Sequence, residues 1–221
     1  MQTFDTPAPI SAVLDIPAGR VQFIAADRAD TTVEVRPADS SKSRDTRTAE
    51  RTDVTYADGV LRITTPAPDS QLLGSAGSLE VTVRLPAGSR VEGRAASAEL
   101  RGVGRLGDVA FEGAYRQIKI DEAASVRLVA LDGDVEIGRL GGPAEISTAK
   151  GDIRIAEAVR GKVVLRTRSG DISVAAAAGV SAALDAGTDH GRVGNTLKND
   201  GTAELDIHAT TAHGDITARS L

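Results

Sequence analysis

The sequence predicts an all-β fold: a single-stranded parallel β-helix, or β-solenoid, of about seven coils behind an N-terminal β-strand-rich cap. Three observations carry that expectation. Gly-Asp followed by alternating branched residues recurs through the second half of the 221-residue chain. Apolar residues stand at fixed offsets before each copy. The hydrophobic share of 41% comes almost wholly from Ala, Val, Leu and Ile, with Phe4, Phe23, Phe111, Tyr56 and Tyr115 the only aromatics. That composition suits a thin core of stacked short strands rather than one broad enough to seat large rings.

Residues 1–88 do not follow the period and read as ordinary strands, expected at 11–16, 20–25, 31–35, 54–56, 60–64 and 79–85. Pro17-Ala18-Gly19 and Pro86-Ala87-Gly88 punctuate them. The stretch 39–53 is crowded with Ser, Thr, basic and acidic residues and is expected to be a mobile loop. A solenoid exposes the backbone of its first coil, so 1–88 is assigned as the N-terminal cap.

Residues 89–221 carry the repeats, as one continuous domain with the cap. Its copies are Gly133-Asp134-Val135-Glu136-Ile137, Gly151-Asp152-Ile153-Arg154-Ile155, Gly170-Asp171-Ile172-Ser173-Val174 and Gly214-Asp215-Ile216-Thr217-Ala218, with Gly191-Arg192-Val193-Gly194-Asn195 a degenerate one. Seven residues before each Gly stand Val126, Ala144, Val163, Leu184 and Ile207; five before stand Leu128, Ile146, Leu165, Ala186 and Ala209. Three before stand Ala130, Thr148, Thr167, Thr188 and Thr211, a small or β-branched residue closing the first strand. Two cryptic copies turn at Ala98 and Arg116, giving turns at 98, 116, 133, 151, 170, 191 and 214 and a period of roughly 17 to 23 residues.

Apolar residues at i, i+2 and i+4 share one face of a strand, so each coil offers two short strands. Leu106, Leu140, Val159, Val180 and Leu197 supply a third inward anchor at a further corner. Coils following one another in the chain are expected to stack as parallel neighbours, with right-handed winding, because parallel crossovers take that hand in nearly all sheets. On that order the last coil ends at Leu221 and leaves a C-terminal edge either open or paired.

With these Gly-Asp-Ile/Val strands and Thr-x-Ser/Lys/His-Gly-Asp turns in view, the chain resembles the bacterial β-strand-repeat family labelled "putative adhesin", a domain of unknown function. The resemblance covers residues 90–221 well and implies a parallel β-helix with a strand-rich start, with no catalytic set. Arg116 and Arg192 depart from its pattern, and altered turns are expected there.

Several chemistries are excluded or disfavoured. A net charge of −5 offers no basic footprint for nucleic acid. The absence of Cys removes disulfides, thiol catalysis and thiolate metal sites. Neither a phosphate-binding Gly-rich loop nor Gly-x-Ser-x-Gly occurs. The first twenty residues lack a signal-peptide pattern and no stretch has membrane-spanning length, so the expectation is a cytoplasmic protein without membrane insertion, cell-surface association following only from the resemblance.

The remaining candidates sit on turns. Asp134, Asp152 and Asp171 read as backbone acceptors at the bends, or as a weak calcium row. His190 and His213 occupy the same place in their coils and should stack near 5 Å apart, with Asp189 beside His190; they are exposed turn residues or, in the sharper reading, ligands for a transition metal such as Zn²⁺. Asp132 and Asp134 form the nearest acidic pair. No catalytic, cofactor-binding or metal residue is assigned. The functional expectation is a non-enzymatic interaction or scaffold protein, binding a protein partner or itself through a face or edge; the alternative is a glycan-binding or polysaccharide-active β-helix protein. Glu136, Arg154 and Arg166 are taken as probes of the binding face.

Overall fold

The computed structural model describes residues 1–66 and 77–221. Alternation dictates the elements: inward Ala, Val, Leu and Ile are buried while their neighbours face out, as in β11 (Gly161–Ser169). In chain order the strands are β1 (Gln2–Asp5), β2 (Ser11–Ala26), β3 (Asp30–Pro37), β4 (Asp53–Ala57), β5 (Val60–Thr64), β6 (Leu79–Pro86), β7 (Arg90–Asp132), β8 (Val135–Leu140), β9 (Ala144–Lys150) and β10 (Ile153–Ala158). After β11 come β12 (Ile172–Ala176), β13 (Ala182–His190), β14 (Val193–Thr196), β15 (Leu205–His213) and β16 (Ile216–Ser220), and helix α1 (Ser43–Glu50) lies between β3 and β4. The fold is all-β, with one short helix among the described residues and a long open sheet.

Strand β7 explains how the sheet continues around corners. Laid straight, its 43 residues would reach about 140 Å, far beyond a domain of this size. Instead it pairs with β2 on one side and with β8 and β9 on the other. A Cβ on Gly93 would lie 2.4 Å from the Phe111 ring, so the space left by one glycine is filled by the large ring of the next row.

Two parallel ladders face one another across the core. One runs β9–β11–β15–β13, the other β8–β10–β12–β16–β14. Two polar devices tie the turns. Thr167 Oγ1 donates to the Gly151 carbonyl at 3.1 Å, Thr211 Oγ1 to Gly170 at 3.1 Å and Thr188 Oγ1 to Gly214 at 3.0 Å. Each turn aspartate accepts an N–H from its neighbour: Asp152 N–H to Asp134 Oδ1 (2.9 Å), Asp171 to Asp152 (2.7 Å), Asp215 to Asp171 (2.7 Å) and Arg192 to Asp215 (2.8 Å). At the turn itself, a Cβ on Gly133 would stand 1.2 Å from the Arg116 carbonyl oxygen, so only glycine fits. Arg116 lacks that exemption and holds φ at +103°, a strained conformation worth about 1–3 kcal/mol.

The stacking order corrects the expectation that neighbouring coils follow the chain. Turn residues stack as 133, 151, 170, 214, 191: the C-terminal strands β15 and β16 lie between β11/β12 and β13/β14. The physical reason is in the inward residues. Leu205, Ile207, Ala209, Ile216 and Ala218 are fully buried in the inner position. Leu184 and Ala186 are only partly buried, and every residue of β14 is exposed. An inner coil is covered on both sides and gains most from apolar residues, whereas an end coil tolerates Gly194 and Asn195. The edge of the stack is therefore β13/β14, and the chain's last strands are interior.

The N-terminal region departs from the sequence expectation in three further places. Residues 11–16 and 20–25 join into one strand, β2, which pairs in parallel with β7 over residues 11–24 and 90–103, with Gly19 opposite Ala98. It thus obeys the register of the repeats. The stretch 39–53 contains α1 rather than an irregular loop, because Asp45 is buried and accepts the Ser78 N–H at 3.0 Å. That tertiary contact overrides weak helix propensity. β1, not foreseen, pairs antiparallel with β3.

Candidate interaction surface

Outward positions on the ladders carry the chemistry, because inward ones are apolar. Many outward charges face an opposite charge one row away: Arg94 and Glu112 (3.4 Å), Lys119 and Glu136 (3.0 Å), Arg101 and Asp121 (2.6 Å), and Arg139 with Glu157. These are cross-strand pairs, each worth a few tenths to 1 kcal/mol. Arg154, Lys162 and Arg168 form no ion pair among the described residues.

A groove of about 530 Å³ crosses the first ladder, where Arg90, Arg127, Lys162 and Arg166 surround Asp108 and Glu145. Glu145 lies 3.5 Å from Arg127 and 3.9 Å from Arg166. Four cations against two carboxylates leave the groove at +2 in a chain of net charge −5. A longer trough of about 1040 Å³ follows the third corner past Leu106, Ala123 and Gly141. A smaller hollow of about 240 Å³ holds Tyr115, Arg116, Arg20, Glu80 and Glu99.

The probe residues named from the sequence do not share a face. Arg166 lies on β11 in the first ladder, while Glu136 and Arg154 lie on β8 and β10 in the second. His190 and His213 do meet: their rings stack at 4.8 Å with planes 7° apart. In-plane lone pairs of parallel rings run along separate lines, so a shared metal would require one ring to turn. No group of three or more potential metal ligands occurs among the described residues. Asp134, Asp152 and Asp171 each commit Oδ1 to a neighbour's N–H.

His208 was not singled out from the sequence. Its Nε2 lies 2.9 Å from Asp206 Oδ2 and its Nδ1 3.3 Å from Asp185 Oδ2. The signal was the alternation Asp206-Ile207-His208, which puts both polar residues outward; the Asp185 contact depends on the unexpected neighbour relation of β13 and β15. All three histidines lie on those two strands.

The family model described as Toastrack DUF4097 matches residues 13–220. The chain belongs to that family. Among solved structures it is similar to a "putative adhesin" from Bacteroides fragilis (11% identity, 98% of this chain and 95% of that one, TM-score 0.47) and to one from Parabacteroides distasonis (14%, 98% and 95%, 0.44). A "putative cell adhesion protein" from Clostridium sporogenes matches at 12% identity over 100% and 98% of the two chains, with a TM-score of 0.40. No curated protein matches. No helix among the described residues is long and apolar enough to cross a membrane.

Proposed function

We propose that this Toastrack chain is a non-enzymatic interaction module: a right-handed β-solenoid of about seven coils at 89–221, capped by 1–88, that holds an acidic protein segment in the positive groove of its first ladder. The observation carrying the reading is the local +2 charge of that groove in an acidic chain, since complementary potential steers and orients a partner. An adhesin-like role is compatible with it. The test is capture of partners from the source organism's lysate on immobilised protein, comparing Lys162→Glu/Arg166→Glu with Glu136→Lys on the opposite ladder. Loss of an acidic partner in the first variant alone supports the proposal. Retention in both, or equal loss in both, sinks it.

A glycan-binding alternative rests on the Tyr115 hollow, where a half-exposed ring adjoins Glu80 and Glu99. Titration with an acidic and a neutral polysaccharide, repeated on Tyr115→Ala, distinguishes the two readings. The cap assignment has its own test: deletion of 1–88 uncovers the β7 edge and should give aggregation, whereas a soluble folded remainder would overturn it.

A further inference from the structure

The coil at 205–221 follows β13/β14 in the sequence yet is an interior row of the stack. Its slot has two walls, β11/β12 and β13/β14, and the chain has already supplied both before residue 205. The same β15 residues address both walls: Ile207 pairs with Val163 and Leu184, Ala209 with Leu165 and Ala186. On the second ladder Ile216 pairs with Ile172 and Val193.

Most of what recognises the slot lies within residues 205–221, joined by Glu204, whose N–H donates to the Ser181 carbonyl (2.9 Å) and whose carbonyl accepts the Gly161 N–H (2.8 Å). The buried Leu205, Ile207, Ala209, Ile216 and Ala218 fill it. The Gly214 N–H donates to the His190 carbonyl (3.0 Å) and the Gly170 N–H to that of His213 (2.9 Å). The connection 197–204, by contrast, is exposed apart from Leu197. One of its ties to the body is the Asp200 N–H on Ser181 Oγ (3.1 Å), while the Lys198 N–H reaches Ser220 Oγ (2.9 Å) of the 205–221 segment itself. Eight residues can reach about 26 Å when extended.

We propose that residues 205–221 are exchangeable between copies: the coil of one molecule seats between β11/β12 and β13/β14 of a second, giving strand-swapped dimers. The slot contacts of residues 205–221 are preserved by the exchange because the donor segment is identical, and only the 197–204 connection changes course. The partner is a second copy of this chain, selected by register rather than by a surface patch.

The chain has no Cys, which permits a direct test. Ser173 and Thr217 are outward register partners on β12 and β16. Parallel neighbours lie about 4.8 Å apart, within disulfide reach of roughly 4.4–6.8 Å between Cα atoms. Ser173→Cys and Thr217→Cys proteins are prepared separately, mixed, partly unfolded in denaturant, refolded together and oxidised. The double variant in one chain serves as the register control and should close its disulfide internally. The expected result is a mixed covalent dimer at least tenfold above the same mixture never exposed to denaturant. Monomers alone from the mixture, with the double variant closed, would show that the coil never leaves its own chain and would overturn the proposal. A double variant that fails to close would overturn it too, by removing the register on which it depends.

Discussion

The coil at 205–220 and the coil at 182–196 are built on one template, yet the first is buried and the second lies open. The difference is in the residues: Ile207, Ala209, Ile216 and Ala218 against Leu184, Ala186, Val193 and Asn195. Between these two coils, fidelity to the repeat reports place in space and not place in the chain. The degenerate copy Gly191-Arg192-Val193-Gly194-Asn195 marks the end of the stack, even though a perfect copy follows it in sequence. Arg192 also has a reason: an Asp there would accept no N–H, because no further turn lies beyond it, whereas the guanidinium reaches back to Asp215 Oδ2 at 3.1 Å.

The sharpest way to break this comparison is to truncate one equivalent side chain in each coil. Ile207→Ala should cost about 2–5 kcal/mol, as for a fully buried site that cannot collapse. Leu184→Ala, partly covered at the end, should cost about 1 kcal/mol. Denaturant melts measure both. Equal costs would mean that β13/β14 is covered in solution, and the end assignment would fall.

A second variant gives the end coil the features of an inner one: Arg192→Asp, Val193→Ile, Gly194→Thr and Asn195→Val together. Polar and irregular residues keep edge strands from templating further strands. Restoring the signature should yield concentration-dependent association by light scattering, through β14 rather than through the 205–221 exchange. A strictly monomeric product would show that the degenerate sequence does not protect the edge.

Much of this architecture was legible because inward columns recur at fixed offsets from a turn. Val126, Leu128, Val163, Leu165, Ile207 and Ala209, picked out by offset alone, are all buried. Stacking order was not legible from register, since β13 and β15 offer the same offsets to β11; only the relative polarity of the two copies distinguishes inner from outer. The strands of β2 were expected, but their pairing with the repeats was missed because residues 27–89 separate β2 from the row it pairs with, so no local period exists. α1 was missed because it depends on one buried carboxylate, Asp45, meeting Ser78. For the surface, the stacked His190 and His213 follow directly from offset. The groove does not, because it gathers residues from five rows and its charge appears only once those rows are aligned.

The smallest effect concerns the charged contact that joins the two coils at their turn. Asp215 holds its carboxyl below the usual carboxylate range, first because it accepts the Arg192 N–H and then because the Arg192 guanidinium lies against it, with burial acting weakly the other way. A carboxylate whose folded value lies below its unfolded one adds stability that is present above about pH 4 and is lost as pH falls through the folded value. Acid should therefore loosen the end coil through this contact. The measurement is the difference in Tm between the native chain and Asp215→Asn, read at pH 6 and again at pH 3. The native chain should melt higher at pH 6, and the gap should narrow as the pH is lowered to 3. A gap that does not narrow at all between pH 6 and pH 3 would assign the contact to packing, and the end coil would then be held by shape rather than by charge.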